Sequence, residues 1–294
     1  MLTYLKLIRV QQWVKNFLLF VPLLAAHQFS NHSALKELVI TFFAFSFCAS
    51  SVYIINDFFD AEHDRKHPLK SKRPLATGDV STRTAFALVV LLLLISITLS
   101  LLVTNEFLAI LLVYFLITCA YSVWLKKIAI VDCMTLAMLY TLRIIAGAVA
   151  VNIPLSFWLL TFSFFIFLSL ANLKSYIDLQ VHRDLGNLSL GGREYTQSDA
   201  TLVKIMGISS GFNSSLVLAL YLQGETVTAL YSRPEYIWLT VPITLLWINR
   251  LWIKADRKQL QIDPLDYALK DIPSIVLGLS VILCFLFATN GISL

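Results

Sequence analysis

Nine stretches of this chain are apolar for long enough to enter a bilayer, and that repetition leaves few folds open. They fall at roughly 14–30, 37–56, 84–104, 107–124, 129–150, 155–173, 202–222, 235–253 and 272–290. A helix needs about 20 residues to cross the hydrocarbon core, and most of the stretches come near that length. Backbone polar groups in lipid must be satisfied within the segment, so the spans read as helices. Composition agrees. Of 294 residues, 58% are hydrophobic and 14% charged, with mean hydropathy +0.76, where a soluble domain carries about 25% charged residues. The expectation is an all-α integral membrane protein of nine transmembrane helices, a single domain over 1–294. The first span is the weakest, with an uninterrupted apolar core only from Phe17 to Ala26.

Loop charges orient the chain. With a cytoplasmic N-terminus, 20 of the 23 Lys and Arg fall on the cytoplasmic side, in the N-terminal segment and the loops after spans 2, 4, 6 and 8. Only Lys36 and Arg233 fall on the other side, and Arg143 lies inside a span. Such a bias fixes orientation and puts the C-terminal end, 289–294, outside. A bacterial-type inner membrane fits. The net charge of +5 suits cytoplasmic loops and anionic lipid, and no basic-aromatic groove for nucleic acid is visible. Cys48, Cys119, Cys133 and Cys284 all lie in apolar runs without a C-x-x-C pair, so neither disulfides nor zinc are expected. The N-terminus has no clean signal-peptide pattern.

The chemistry concentrates directly after the second span, in Asn56-Asp57-Phe58-Phe59-Asp60-Ala61-Glu62-His63-Asp64. Continued as a helix at about 100° per residue, Asp57, Asp60 and Asp64 share an arc of roughly 60°, with Asn56 beside Asp60. Three carboxylates on one face repel one another and need a cation. Hard oxygen ligands suit Mg²⁺, which shares its shell with substrate phosphates. Lys66, Lys70, Lys72 and Arg73 follow, and cations beside a carboxylate-held metal make a site for pyrophosphate.

Other polar residues sit on the same side. Lys174, Tyr176, Asp178, His182, Arg183 and Asp184 follow span 6, then Gly191-Gly192-Arg193. Lys174 and Asp178 share a helical face, either as a surface ion pair or as a second polar wall towards the metal site. Arg143, about eight residues from the end of its span, is costly in lipid and calls for a phosphate or an acidic partner. Lys15 reads either as an interfacial snorkeller or as a reach towards a lipid phosphate. Asp263, Asp266, Lys270 and Asp271 cluster near the last span as a loop cap or rim.

These residues resemble the UbiA superfamily of intramembrane prenyltransferases, whose metal motif has the form N-D-x-x-D-x-x-x-D. Within it, Gln12-Trp13-Val14-Lys15-Asn16 is similar to the Q-W-x-K-N opening of the decaprenyl-phosphate phosphoribosyltransferase branch, and Lys72-Arg73-Pro74 to Gly78 is similar to its K-x-R-P-x-x-x-G segment. The resemblance implies a helical bundle around a central cavity open to the cytoplasmic side. It implies Mg²⁺ on Asn56, Asp57, Asp60 and Asp64, and catalytic roles for Asp57, Asp60, Lys174 and Asp178. It further implies substrate binding by Lys15, Asn56, Lys70, Lys72, Arg73, Arg143, Tyr176 and Arg183. The partners implied are a polyprenyl lipid and a diphosphate donor; self-association is left open. Prenyl-diphosphate-using members often carry D-x-x-x-D after helix 6, where this chain has Asp178 and His182. The expected reaction moves 5-phosphoribosyl from its diphosphate to a polyprenyl phosphate. The alternatives are transfer of a polyprenyl group to an aromatic or other acceptor, and a transporter or lipid-binding protein without catalysis. No internal repeat supports the transporter.

Overall fold

Leu38 to Ile55 supply an apolar run, and neither Gly nor Pro interrupts the polar residues after it. One helix, α3 (His32–Lys66), therefore carries both, over 35 residues. Asn31 accepts a hydrogen bond from the Ala34 backbone N–H at 3.2 Å at its start. The computed structural model describes residues 2–28, 30–66, 70–184, 194–224, 227, 231–260 and 262–289, and not the side chains of Leu2, His63, Lys66, Lys70 and Asp184. Gly191 to Arg193 and most of the expected outer end, 290–294, lie outside the described residues.

The regular elements described are all helices. Before α3 come α1 (Leu2–Leu7), a 3₁₀ segment (Val10–Phe20) and α2 (Val21–Ala25); after it come α4 (Pro74–Thr77), α5 (Thr82–Leu101), α6 (Asn105–Val123) and α7 (Val131–Ala150). Then follow α8 (Phe157–Asp184), α9 (Ala200–Tyr221), α10 (Glu235–Trp238), α11 (Thr240–Asp256), α12 (Pro264–Ala268) and α13 (Ile272–Thr289). Among the described residues, eight helical stretches are long and apolar enough to cross a membrane. They match the second to ninth predicted spans. The first predicted span, 14–30, differs: it is an eleven-residue 3₁₀ segment and a five-residue helix.

The chain divides into two compact units, residues 1–135 with 139–155, and residues 136–138 with 156–294. In the first, Leu19, Phe45, Cys48, Phe107, Leu111, Tyr114 and Ala146 form a buried core. The 3₁₀ segment lies in step with α3. Trp13 donates to Ser50 Oγ at 2.9 Å and Asn16 to Ser46 Oγ at 2.9 Å. Three 3₁₀ residues and four α residues each rise about 6 Å, so a stripe of every third residue meets a stripe of every fourth. On its other side Leu19 presses backbone-first on Gly147, where an added Cβ would lie 1.9 Å from the Leu19 carbonyl oxygen.

In the second unit, Gly207 and Gly211 let α9 approach α11. A Cβ at Gly207 would meet the Trp252 ring at 2.2 Å, and one at Gly211 would meet Ile248 at 2.6 Å. Small residues at this spacing bring membrane helices together. Trp252 also donates to Ser169 Oγ of α8 at 3.2 Å. At the start of α13, Asp271 takes a bidentate pair from Arg250, with Nη2 at 2.9 Å from Oδ1, and accepts from Ser274 N at 3.0 Å. These donors, the Arg250 guanidinium foremost, hold its carboxyl below the usual range.

Candidate active site

The last three turns of α3 present the acidic motif to two arginines and a lysine, all within the first unit. Asp57 is 2% exposed and accepts from Arg9 and, at 3.1 Å, from Arg73. The same Arg73 Nη1 lies 2.7 Å from Asp64 Oδ2, so one guanidinium nitrogen joins two carboxylates nearly two turns apart. On the adjoining side, Asn56 donates to Asp60 at 2.9 Å, while Lys126 reaches Asp60 at 2.5 Å and Asn56 Oδ1 at 3.3 Å. Of the expected three carboxylates, Asp57 and Asp64 converge on Arg73 while Asp60 pairs with Lys126, and Asn56 stands beside Asp60 as the spacing required.

Local folding explains the convergence. Arg73 immediately precedes Pro74 at the start of α4 with extended backbone, φ −69° and ψ 141°, as a residue before proline prefers. Gly78 closes α4 at φ +83°, a conformation glycine adopts without strain. Arg9 occupies the left-handed region at φ 52° ahead of the 3₁₀ segment. Lys126 lies in the 3₁₀ turn after α6.

The donor set fits a divalent cation. Among the described residues no group of three or more His, Cys, Asp or Glu side chains is placed to hold a metal ion, so the expected third carboxylate does not join the other two. Two convergent carboxylate oxygens, Asp57 and Asp64 about Arg73, are what Mg²⁺ takes from protein when water and substrate phosphate complete its octahedron.

Other predicted residues fall into three places. Lys72 is exposed. Lys15 is buried with its ammonium 6.0 Å from the Tyr140 ring. Arg143 is buried and donates to Asn16 Oδ1 at 3.1 Å, Leu139 O at 2.7 Å and Tyr114 Oη at 2.9 Å, with the rings of Phe45, Tyr114 and Tyr140 around it. Where an acidic or phosphate partner was expected, its described bonds all go to neutral oxygens. The remaining residues belong to the second unit. Lys174 stands 4.0 Å from Asp263, and Asp178 is half-buried with its carbonyl 2.8 Å from His182 Nδ1. Tyr176 donates to Asp256 at 2.6 Å, which also accepts from Lys204 at 2.6 Å. Tyr176, Gln180, Arg183 and Lys204 line a cavity of about 200 Å³. Sequence reading missed Arg9 and Lys126 as site residues; their signal was membership of the same Lys- and Arg-rich set of loops.

The family model of the UbiA prenyltransferase family matches residues 17–264. The chain belongs to that family. It is a UbiA-family transferase and an integral membrane protein. An uncharacterised protein of Sinorhizobium fredii is 33% identical over 97% of this chain, which spans 55% of that protein's length. Nodulation protein NoeC of Azorhizobium caulinodans is 34% identical, covering 97% of this chain and 93% of NoeC. Decaprenyl-phosphate phosphoribosyltransferase of Mycolicibacterium smegmatis is 36% identical over 62% of this chain and 58% of its own length. The fold is that of a UbiA homologue from Archaeoglobus fulgidus solved with GPP and Mg²⁺, with TM-score 0.72, 19% identity, and coverage of 97% and 98%.

Proposed function

We propose that this UbiA-family enzyme moves a 5-phosphoribosyl group from its 1-diphosphate to a polyprenyl phosphate of the decaprenyl type, releasing pyrophosphate. The observation that carries the reading is the interleaving of Asp57, Asp60 and Asp64 with Arg9, Arg73 and Lys126 at the polar end of a membrane helix. Similarity to the mycobacterial phosphoribosyltransferase supports the choice of donor.

Asn56, Asp57, Asp60 and Asp64 would hold Mg²⁺, which supplies charge neutralisation on the donor diphosphate. Arg9, Arg73 and Lys126, with Lys70 and Lys72, stabilise the negative charge that grows on the departing pyrophosphate. The ribose C1–oxygen bond to diphosphate breaks, and a bond from C1 to a lipid phosphate oxygen forms. That oxygen is already ionised at neutral pH, so positioning and electrostatics replace a strong general base. Lys15 orients the lipid phosphate, and Arg143 fixes the segment that carries Lys15.

The charge bias supports a cytoplasmic N-terminus and a cytoplasmic motif. The ninth crossing is the 3₁₀ segment with α2, which together rise about 30 Å. Prenyl transfer to an aromatic acceptor is the second reading, favoured by the match to a family described as prenyltransferases; His182, standing where a second motif aspartate is expected, counts against it.

Pyrophosphate release by purified protein with Mg²⁺ decides between them. Turnover is expected with phosphoribosyl diphosphate plus polyprenyl phosphate and lost on chelation or in Asp57→Asn and Asp60→Asn. Turnover only with polyprenyl diphosphate plus an aromatic acid would establish the second reading, and full activity with both aspartates replaced would remove the metal assignment.

A further inference from the structure

Each of the three aspartates of the motif is held by a cation of the same chain. Asp57 is shared by Arg9 and Arg73, Asp64 is held by Arg73, and Asp60 by Lys126. Asp57 and Asp64 are 2% and 4% exposed, so neither can exchange its arginine for bulk water at little cost. Removing one partner of a buried ion pair leaves an uncompensated charge. The oxygens that would ligate a metal and the nitrogens that would grip a diphosphate are thus engaged with one another. The geometry at Arg73 sets the rule: its Nη1 stands between Asp57 Oδ1 and Asp64 Oδ2, the position a shared cation would take.

Building on the proposed function, we infer that Arg9, Arg73 and Lys126 form a cationic latch that closes the acidic motif on itself and yields only to metal and diphosphate together. Arg73 has to leave Asp57 and Asp64 before those oxygens can coordinate. Once released, its guanidinium needs an acceptor, and the donor's diphosphate supplies two. A metal alone strands the arginines, and a diphosphate alone strands the carboxylates. Each ligand therefore raises the other's affinity, and by linkage the effect is reciprocal. The latch also assigns Arg9 and Lys126 to the diphosphate, although they are 48 and 66 residues from their carboxylate partners in sequence.

The test reads metal binding without substrate, by loss of the free Mn²⁺ paramagnetic resonance signal on titration into detergent-solubilised protein. Arg73→Gln is expected to tighten Mn²⁺ binding at least tenfold with no diphosphate present. Arg83→Gln removes the same charge from an exposed side chain in no described ion pair and with no part in the proposed site, and is expected to change binding less than threefold. Equal affinity in the parent and Arg73→Gln would overturn the latch and leave the metal–diphosphate reading standing. Equal tightening by both substitutions would reduce the effect to general repulsion and overturn the latch as well. Absence of Mn²⁺ binding in all three proteins at millimolar metal would overturn the metal site and the latch with it. Asp57→Asn, expected to bind weakly, checks that the signal comes from the motif.

Discussion

Gly147→Ala tests whether the 3₁₀ segment positions the site. A Cβ there would lie 1.9 Å from the Leu19 carbonyl oxygen and 2.7 Å from its carbon, whereas ordinary contact begins near 3.4 Å. Both atoms struck belong to backbone, so no rotamer relieves the clash and the segment must withdraw by about 1.5 Å. Overpacking of this kind costs about 1–3 kcal/mol. One turn earlier, Arg143 holds Asn16 of the same segment at 3.1 Å, a bond that such a withdrawal breaks. Losing a buried bond from a charged donor adds about 1.5–3 kcal/mol. The combined loss of about 2.5–6 kcal/mol is a large part of a typical folding margin. Arg9 immediately precedes this segment, and displacements near 1 Å lower catalysis by about 10²-fold. Thermal inactivation in detergent and pyrophosphate release measure both effects. Gly278→Ala is the internal control, because no atom lies within 4 Å of its added Cβ; better helix propensity should leave it equal to the parent or up to about 1 kcal/mol more stable. If Gly147→Ala melts within a degree of Gly278→Ala and keeps at least half its activity, the segment is not held as described.

Three further outcomes follow from single contacts. Tyr114→Phe keeps the ring beside Arg143 but removes the oxygen 2.9 Å from Nη2, and should lower stability by about 1–3 kcal/mol; an unchanged melting point would contradict the cage. Asp271 titrates below its unfolded value near 4 because of Arg250. Its stabilisation is therefore complete above that value and lost as pH falls through the folded pKa, so Asp271→Asn should flatten the acid limb of a melting-temperature profile, and superimposable limbs would refute the assignment. Gly207→Leu drives side-chain atoms into the Trp252 ring and should lower thermal stability and shift tryptophan emission, whereas an unchanged spectrum would mean that α9 and α11 are less closely packed there.

Hydropathy made α3, α5 to α9, α11 and α13 legible, because each crosses lipid and must satisfy its backbone internally. It failed at residues 14–30 because hydropathy does not register helix type. There the backbone follows its partners, Trp13 to Ser50 and Asn16 to Ser46, and that pairing exists only in three dimensions. Local spacing found Asn56, Asp57, Asp60, Asp64 and Arg73, which lie within 18 residues of one another. Arg9 and Lys126 were invisible to it because the chain brings them in from remote turns. Arg143 drew attention through the cost of a charge in a span; which oxygens meet that cost depends on Asn16 and Tyr114, remote in sequence.

The unbroken helix α3 is also a ruler. With no hinge between Leu38 and Asp64, the height of the acidic motif above the apolar layer is set by residue count, at about 1.5 Å per residue, whatever the thickness of the surrounding lipid. A lipid acceptor must bring its phosphate to that level. A residue inserted after Ser51 would lift the motif one step and turn its carboxylates by about 100°, away from Arg73.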